Sequence, residues 1–270
     1  MHSCITLIIP VYNGDRFLKP LLDSVLTQTF PDWSCLAIDD GSTDESPAIL
    51  ADYAARDTRF TVVRQENAGC GVARNTALAR VKTPYLMFAD QDDLLHPQSF
   101  EIAHDVIVRA QVDCLCFGFE RFREQPQFKT LGKDQTITPA DRNGTKLITG
   151  RRTSWSIFVW RHIFRTEAVR NVPFPPVSGG EDQAWMSELS WKNLTWAKIE
   201  PALYFNREDP NSRSRGVSRR YVENVMASYD WIAERAKLYD IDPSWLRRYI
   251  GHMRLMFRLS VIYRRLRSLA

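Results

Sequence analysis

The chain has 270 residues, of which 44% are hydrophobic and 25% are charged, which suits one globular unit of about 200–250 residues with an appendage, or two closely joined parts. Its net charge of +4 is unevenly distributed, because the residues from Arg207 onward carry 14 Lys and Arg against 7 Asp and Glu, which leaves −3 for the first 206 residues. No apolar run approaches the roughly 18 residues of a membrane span, and the five cysteines lack the paired spacing of a zinc site.

The N-terminus and the cysteines predict the compartment. Met1 is followed within three residues by the strand-like run CITLII, so no signal peptide is visible. Four cysteines lie in apolar runs, where reduced core thiols of cytosolic proteins are found: Cys4, Cys35, Cys114 and Cys116. We therefore expect the protein to face the cytoplasm.

Strand and helix patterns alternate over the first 120 residues. Short apolar runs predict strands at residues 4–9, 34–38, 60–64, 85–89 and 113–119. Apolar residues at helical spacing predict helices over residues 17–26, from Thr43 or Asp44 to Arg56, over residues 71–81, and from Pro97 onward. This alternation predicts an α/β fold with a mainly parallel sheet that helices cover on both faces.

The pattern is less regular after Glu120. A polar, turn-rich stretch extends to about Arg152 and is interpreted as a surface excursion or a flexible loop. Regular structure returns with WSIFVWRHIF, a helix that begins near Glu181, and the strand-like run WAKIEPALYF. Residues 209–217 are interpreted as a mobile loop and the remaining residues as helical.

Acidic residues cluster at three places, two of them directly after predicted strands. The clusters are Asp39-Asp40, Asp90-Gln91-Asp92-Asp93 and Glu181-Asp182. Because ligands bind where the carboxyl ends of parallel strands meet, the first two clusters should converge at one edge of the sheet. Three carboxylates in four residues repel one another, and a hard cation such as Mg²⁺ or Mn²⁺, which takes carboxylate and phosphate oxygens, is their natural partner.

Each cluster also has a purely structural interpretation. Asp39 and Asp40 suit a turn and a helix cap, since both are favoured by Asx residues. The second cluster could be a solvated acidic loop, with Asp93 as a cap for the next helix. Glu181 and Asp182 stand where carboxylates in a first helical turn are favoured by the helix dipole, although the two preceding glycines would let a substrate approach closely.

The clusters belong to longer motifs that occur in a fixed order. These are TLIIPVYNGDRFLKPLLDSVLTQTF, LAIDDGSTDES, NAGCGVARNTAL, YLMFADQDDLLHP, GGEDQAW and LYFNREDPNS. Together they resemble the inverting family 2 glycosyltransferases of the glycosyltransferase A fold, continuously over residues 5–98. The resemblance implies a Rossmann-like sheet with a nucleotide-sugar-binding half (residues 1–119), an acceptor-binding half of the same catalytic domain (residues 120–215), and a basic helical C-terminal extension (residues 216–270).

The resemblance implies which residues contact the nucleotide-sugar. They are Pro10, Val11, Tyr12, Asn13, Asp39, Asp40, Asn67, Arg74, Asp90 and Gln91. In this set the Asp39-Asp40 pair would hydrogen-bond the base, and Arg74 would lie near the base or the phosphates.

The resemblance also implies the chemistry. Asp92 and Asp90 match the D-x-D motif and would hold Mn²⁺ or Mg²⁺, which neutralises the charge that builds on the leaving phosphates. Asp182 matches the general base that takes the acceptor's proton, and Glu181 is the alternative. The expected reaction is the inverting transfer of one sugar from a nucleotide-sugar, with a UDP-sugar favoured, to a glycan or lipid-linked glycan in surface polysaccharide or lipooligosaccharide synthesis.

The acceptor region departs from the family's pattern. Many relatives have an Asn-Lys pair after a Trp, whereas this chain has Trp160-Arg161-His162. His162 lies in an apolar, aromatic segment and is interpreted mainly as a packed residue, and so is His96. Residues that could close over a diphosphate, or simply be solvated, are Arg207, Ser212 and Arg213.

Basic charge is concentrated at the C-terminus. Residues 247–270 contain seven arginines and no acidic residue, and one helical stripe contains Arg247, Arg254, Arg258 and Arg265. A basic amphipathic helix predicts contact with a membrane surface, which would place the protein peripherally on the inner face of the cytoplasmic membrane. The alternative is a helix packed on the body. Nucleic-acid binding is disfavoured, because the basicity is confined to one helix without a recognition motif.

Three other functions fit the sequence less well than sugar transfer. A nucleotidyltransferase would have a glycine-rich, basic N-terminal loop, which PVYNGD does not match. A non-catalytic nucleotide-sugar- or glycan-binding protein would not need intact Asp90, Asp92 and Asp182. A dinucleotide oxidoreductase is excluded, because no G-x-G-x-x-G follows the first strand. The sugar and the acceptor are not specified, since fold analogy does not supply them.

Overall fold

The computed structural model describes residues 4–132, 134–139, 158–209 and 218–267, apart from the side chains of residues 260 and 263–267. Its strands are β1 (Ile5–Val11), β2 (Trp33–Asp39), β3 (Phe60–Arg64), β4 (Tyr85–Phe88), β5 (Leu94–Leu95), β6 (Cys114–Phe122), β7 (Thr138–Pro139), β8 (His162–Arg165) and β9 (Trp196–Arg207). Its helices are α1 (Asp15–Leu26), α2 (Ser46–Arg56), α3 (Cys70–Leu78), α4 (Ser99–Ala110), α5 (Thr166–Val169), α6 (Glu181–Trp191), α7 (Arg219–Ala236) and α8 (Pro243–Arg267). The elements predicted for the first 120 residues are all present, with ends shifted by up to three residues.

The strands form one mixed sheet in the order β3-β2-β1-β4-β8-β6-β9-β5, and β7 pairs with β9. β1 is parallel to β2 and β4, and β2 is parallel to β3, as the alternation predicts. β8 lies between β4 and β6 and is antiparallel to both, whereas β9 is parallel to β6 and antiparallel to β5. The α/β class is confirmed. The reversed strand β8 was not predicted, because a short apolar run contains no information about strand direction.

Helices cover both faces of the sheet because the central strands are apolar on both sides. In β1, Leu7 packs with Ile5 and Ile9 against α1, α2 and α4. Ile8 packs on the opposite face, with α3, α6, α7 and α8. Every residue of β1 is buried, as expected for a central parallel strand. The layer that contains the C-terminal helices therefore also contains α6, which carries the third acidic cluster.

The described residues of the predicted C-terminal extension form two helices that pack on α6. Arg235 of α7 forms an ion pair with Glu188 of α6, whose side chain is almost fully buried. Tyr249 and Ile250 of α8 are buried in the same apolar cluster as α6. No helix in the described part of the chain is long and apolar enough to cross a membrane. Most of the loop predicted to precede this extension, residues 210–217, lies outside the described residues.

Candidate functional site

Three segments that follow strands meet at one edge of the sheet: the turns after β1 and β2 and the loop after β4. The Gln91 side-chain amide forms two hydrogen bonds with the backbone of Tyr12. Gln91 Oε1 accepts from the Tyr12 N–H at 2.8 Å, and Gln91 Nε2 donates to the Tyr12 carbonyl at 3.1 Å. Asn13 donates its N–H to Ser42 Oγ at 3.1 Å, and its Oδ1 accepts from the Thr43 N–H at 2.8 Å. The segments that contain the first two acidic clusters are therefore joined, as predicted. The two residues that end β1, Pro10 and Val11, are buried beneath them.

Asp39 and Asp40 are buried and bind the protein's own backbone. Asp39 accepts from the Ser42 N–H at 2.9 Å and pairs with Arg64 at 3.0 Å. Asp40 holds the segment before α3, with bonds of 2.8 to 2.9 Å from Gln65 Nε2, Ala68 N–H and Gly69 N–H. Asn67 is exposed on that segment. The turn-forming role predicted as the alternative for this pair is therefore present, and it fixes the loop that carries Asn67.

A buried arginine connects the second and third acidic clusters. The Arg74 side chain is 2% exposed, and its Nη2 donates to Asp90 Oδ1 at 3.0 Å. Its Nη1 donates to Glu181 Oε1 at 2.9 Å and to Asp182 Oδ1 at 2.6 Å. Arg74 belongs to α3, Asp90 to the loop after β4, and the other two carboxylates to the first turn of α6. Residues predicted separately for the donor and for the acceptor thus form one ion cluster.

The two carboxylates of α6 are held differently. Glu181 is fixed at both oxygens, because Oε2 accepts from the N–H of a glycine two residues earlier at 2.7 Å while Oε1 meets Arg74. Asp182 Oδ2 accepts a long bond, 3.4 Å, from the Val159 N–H. Burial raises the pKa of Asp182 to about 8; Glu181 and Asp90 add to the rise, and Arg74 opposes it. In its ionised form, a carboxylate with a raised pKa is a stronger base than an ordinary one.

Asp90 and Asp92 supply oxygen donors of the kind that a hard cation requires. The Asp90 side chain is 35% exposed although one oxygen pairs with Arg74, and Asp92 is partly exposed. In the described part of the chain, no group of three or more His, Cys, Asp or Glu side chains could hold a metal ion. Two carboxylates nevertheless fit Mg²⁺-type coordination, in which one or two carboxylates act together with water and substrate phosphates.

Asp93 does not cap the helix that follows it, so that interpretation was wrong. The side chain is fully buried and binds β9, accepting from Tyr204 OH at 2.7 Å, the Arg207 N–H at 2.7 Å and Asn206 Nδ2 at 3.1 Å. Tyr204 OH in turn accepts from the Asp90 N–H at 3.0 Å. Burial and two neighbouring carboxylates raise the pKa of Asp93 well above its ordinary value. Through these contacts, Asp93 connects the loop after β4, which contains Asp90 and Asp92, to strand β9 in the second half of the sheet.

An aromatic stack and one arginine that the sequence suggested for closure over the diphosphate frame the site. The rings of Trp160 and Tyr204 stack with centroids 4.6 Å apart, and Phe158 stacks on Trp160 at 5.0 Å. Arg207 Nε donates to the Asp92 carbonyl at 2.7 Å across 115 positions of sequence. Local patterns carry no signal for contacts at such separations. The other two residues considered for closure over a diphosphate, Ser212 and Arg213, lie outside the described residues.

The two histidines near the site are packed, as interpreted from the sequence. His162 is fully buried, its Nδ1 lies 3.0 Å from the Phe158 carbonyl, and burial, with a smaller effect of Arg161, lowers its pKa to about 3. His96 is 4% exposed and its Nε2 lies 3.0 Å from the Lys129 carbonyl. Both contacts are structural.

Comparison with known sequences identifies relatives of the chain. Residues 6–171 match the family model described as glycosyl transferase family 2. Glycosyltransferase GlyA of Streptococcus pneumoniae is 38% identical over 264 residues, which cover 95% of this chain and 38% of that protein. The putative glycosyltransferase EpsH of Bacillus subtilis is 35% identical over 239 residues, which cover 84% of this chain and 67% of that protein. The chain therefore spans only 38% of the length of GlyA, and 63% of the length of the B. subtilis relative EpsJ, to which it is 28% identical.

Solved structures share the fold. TarS residues 1–349 from S. aureus, in complex with UDP-GlcNAc, match with a TM-score of 0.74 at 20% identity, over 93% of this chain and 71% of that one. The mannosyltransferase PcManGT from Pyrobaculum calidifontis, in complex with GDP-Man and Mn²⁺, matches with a TM-score of 0.62 at 17% identity, over 94% of this chain and 70% of that one. The fold is the glycosyltransferase A fold that the motifs implied, and the chain belongs to glycosyl transferase family 2.

Proposed function

We propose that the chain is an inverting, metal-dependent glycosyltransferase that transfers one sugar from a nucleotide-sugar to a glycan or lipid-linked glycan acceptor. The observation that carries the proposal is the Arg74 cluster, in which Asp90 of the D-x-D motif and Asp182 of α6 share one guanidinium. Family membership supports glycosyl transfer. A UDP-sugar is the favoured donor, supported by the UDP-GlcNAc complex of TarS, and the product is a surface polysaccharide or a lipooligosaccharide.

The donor is proposed to lie over the carboxyl ends of β1, β2 and β4, where ligands bind on open parallel sheets. The residues that would contact it are Pro10, Val11, Tyr12, Asn13, Asp39, Asp40, Asn67, Arg74, Asp90 and Gln91. The hydrogen bonds between these turns support a preformed pocket, because Gln91 fixes the Tyr12 backbone and Asp40 fixes the segment that carries Asn67. Preformed sites bind without the cost of ordering a loop.

Asp92 and Asp90 would hold Mn²⁺ or Mg²⁺ at the phosphate end of this pocket. When bound, such an ion acts as a Lewis acid that neutralises charge on the leaving diphosphate. Arg74 keeps the Asp90 carboxylate in place through the 3.0 Å bond, and Tyr204 OH holds the Asp90 backbone. The chain's own contribution therefore includes one carboxylate, that of Asp90, whose orientation does not depend on the ion.

Asp182 is the proposed general base. As the acceptor hydroxyl oxygen attacks the anomeric carbon, the bond from that carbon to the diphosphate oxygen breaks and Asp182 takes the hydroxyl proton. Attack from the side opposite the diphosphate inverts the anomeric centre. Asp182 suits this role better than Glu181, because both oxygens of Glu181 are occupied by Arg74 and a backbone N–H, whereas Asp182 Oδ2 has a contact of 3.4 Å.

The test is nucleotide release from a panel of UDP-, GDP- and dTDP-sugars with Mn²⁺, Mg²⁺ or EDTA. We expect slow, metal-dependent hydrolysis of one donor by the wild type. Asp182→Asn should keep donor affinity and lose about 10²–10⁴-fold in turnover, and Asp92→Ala should lose the metal-dependent reaction. Asp105→Asn, an exposed substitution on α4, is the matched control.

The outcomes separate sugar transfer from the other functions. If Asp182→Asn leaves both affinity and turnover unchanged, Asp182 is not the base. The wild type could instead bind a nucleotide-sugar without hydrolysing any member of the panel and without transferring its sugar to a glycan acceptor. In that case the chain is a binding protein, and the catalytic proposal is wrong.

A further inference from the structure

Helix α8 has an inner face that packs on the body. Tyr249 and Ile250 are 8% and 7% exposed, and Met253 and Phe257 pack against the same apolar cluster. Tyr249 OH lies 3.5 Å from Nε2 of Gln183, the residue that follows Asp182 in α6. The packing predicted as the alternative for the basic helix is therefore present on this side of α8.

On the opposite side of α8, large apolar side chains are exposed to solvent. We define the outer face of α8 by seven of its exposed residues, Arg247, Arg248, Leu255, Met256, Arg258, Leu259 and Ile262; Gly251 and His252 are exposed as well. The exposed fractions are 55% for Leu255, 51% for Leu259 and 54% for Ile262. These three residues recur at i, i+4 and i+7, so they form one stripe along the helix. Isolated apolar residues are ordinary on a protein surface, whereas a contiguous group indicates an interaction site.

The charged side chains of α8 itself all have one sign. No residue of α8 is acidic, and the arginines Arg247, Arg248 and Arg258 are exposed beside the apolar side chains. Two acidic residues interact with arginines of α8: Asp230 of α7 is paired with Arg254, and Asp242, which directly precedes α8, attracts Arg248. A groove of about 310 Å³ between α7 and α8 extends the surface, and it is lined by Asp230, Ala233, Leu246, Arg247, Ile250, Gly251 and Arg254.

We propose that the outer face of α8 docks on the surface of an anionic phospholipid bilayer. The apolar stripe would enter the boundary between headgroups and acyl chains, and the arginines would lie among lipid phosphates, as in other interfacial amphipathic helices. A second copy of the chain fits less well, because two outer faces in contact would bring the arginines of both copies together. The phosphates of a nucleic acid would pair with the arginines, but the apolar stripe would stay exposed to water.

Docking and sugar transfer are separate properties of the molecule. The outer face contains none of the residues proposed for donor, metal or acceptor, so a vesicle-binding assay reports on docking whether or not the chain transfers a sugar. The contact between Tyr249 and Gln183 places the docked helix against α6, which suits an acceptor presented from a lipid.

The experiment is co-sedimentation of the full chain with phosphatidylcholine vesicles that contain or lack phosphatidylglycerol. We expect binding to the anionic vesicles and weak binding to the neutral ones. Replacing Arg247, Arg248 and Arg258 by Gln should weaken binding to anionic vesicles by about fivefold per arginine. Replacing Leu255, Leu259 and Ile262 by Ser should abolish binding even at low salt.

Matched controls use exposed residues outside α8. Leu238→Ser removes an apolar side chain that is 65% exposed, and Arg219→Gln removes an arginine that is 92% exposed; both should bind vesicles like the wild type. Equal binding of the wild type to neutral and anionic vesicles, or no binding to either, would overturn the proposal. So would a stable dimer, measured by light scattering, that the triple Ser substitution converts to monomer.

Discussion

At Arg74, one guanidinium offsets three carboxylates that would otherwise repel one another. Arginine suits this position because it offers five N–H donors in a rigid, planar fork and stays charged when buried. The side chain also lies 5.4 Å from the Phe174 ring centroid, so aromatic carbon excludes water from one side. The geometry of Asp90 and Asp182 therefore depends on a residue that belongs to neither acidic cluster.

Replacing Arg74 by Met should destabilise the fold and stop donor turnover. Met replaces the aliphatic part of the side chain but leaves the three carboxylates without a counter-charge. We expect this to cost about 3 kcal/mol of unfolding free energy, the low end for a broken buried ion pair, because Asp90 is partly exposed. Urea unfolding followed by tryptophan fluorescence measures the change. Arg80→Met, at an exposed arginine just after α3, should stay within about 0.5 kcal/mol. A loss no larger than that of the control would show that the cluster does not stabilise the fold.

At the scale of elements, the start of α6 depends on a close approach by α7. Gly180 precedes α6 with φ of 77°, a left-handed conformation, and a Cβ on it would lie 2.4 Å from Ser228 Oγ of α7. Asn224 of α7 donates to the Ser178 carbonyl at 2.9 Å. α7 thus fixes the turn from which the two carboxylates of α6 project.

Gly180→Ala should therefore destabilise the protein and disturb the base. The left-handed conformation costs about 1–2 kcal/mol for a residue with a Cβ, and overpacking against α7 adds about 1–3 kcal/mol. The free energy of unfolding and the rate of donor hydrolysis should both fall. Gly251→Ala in α8, where a Cβ meets open space, should instead stabilise the helix by up to about 1 kcal/mol. A Gly180→Ala variant as stable as the wild type would contradict the proposed packing.

The elements could be predicted where their signal is local. β1, α1 and α4 follow from apolar periodicity over their own residues, and the wholly buried β1 appears as a continuous apolar run. The direction of β8 and its place between β4 and β6 could not be predicted, because both are set by pairing partners far away in sequence. The cap assigned to Asp93 failed for the same reason, since its partners are in β9.

At the scale of the whole molecule, the candidate site is made where distant segments meet. The convergence of the turns after β1 and β2 could be predicted, because parallel strands place their carboxyl ends at one edge. The Arg74 cluster could not, because its bonds join residues 16 and 108 positions apart and no local pattern indicates that α6 packs near α3. Function was predicted from motifs, whereas the coupling between the two acidic clusters required the structure.

If a nucleotide and a metal ion bind between these segments, they should stabilise the folded chain together. UDP at about 100 times its Kd adds about 2.7 kcal/mol, which for a chain of this size raises Tm by about 5–10 °C. We expect this rise with Mn²⁺ present and little of it in EDTA, because phosphate oxygens complete the coordination that two carboxylates begin. Asp92→Asn should lose the rise while Asp105→Asn keeps it. An equal rise in EDTA, or in Asp92→Asn, would mean that UDP binds without a metal at Asp92, and the D-x-D carboxylates would then need a role in binding the sugar or the ribose instead.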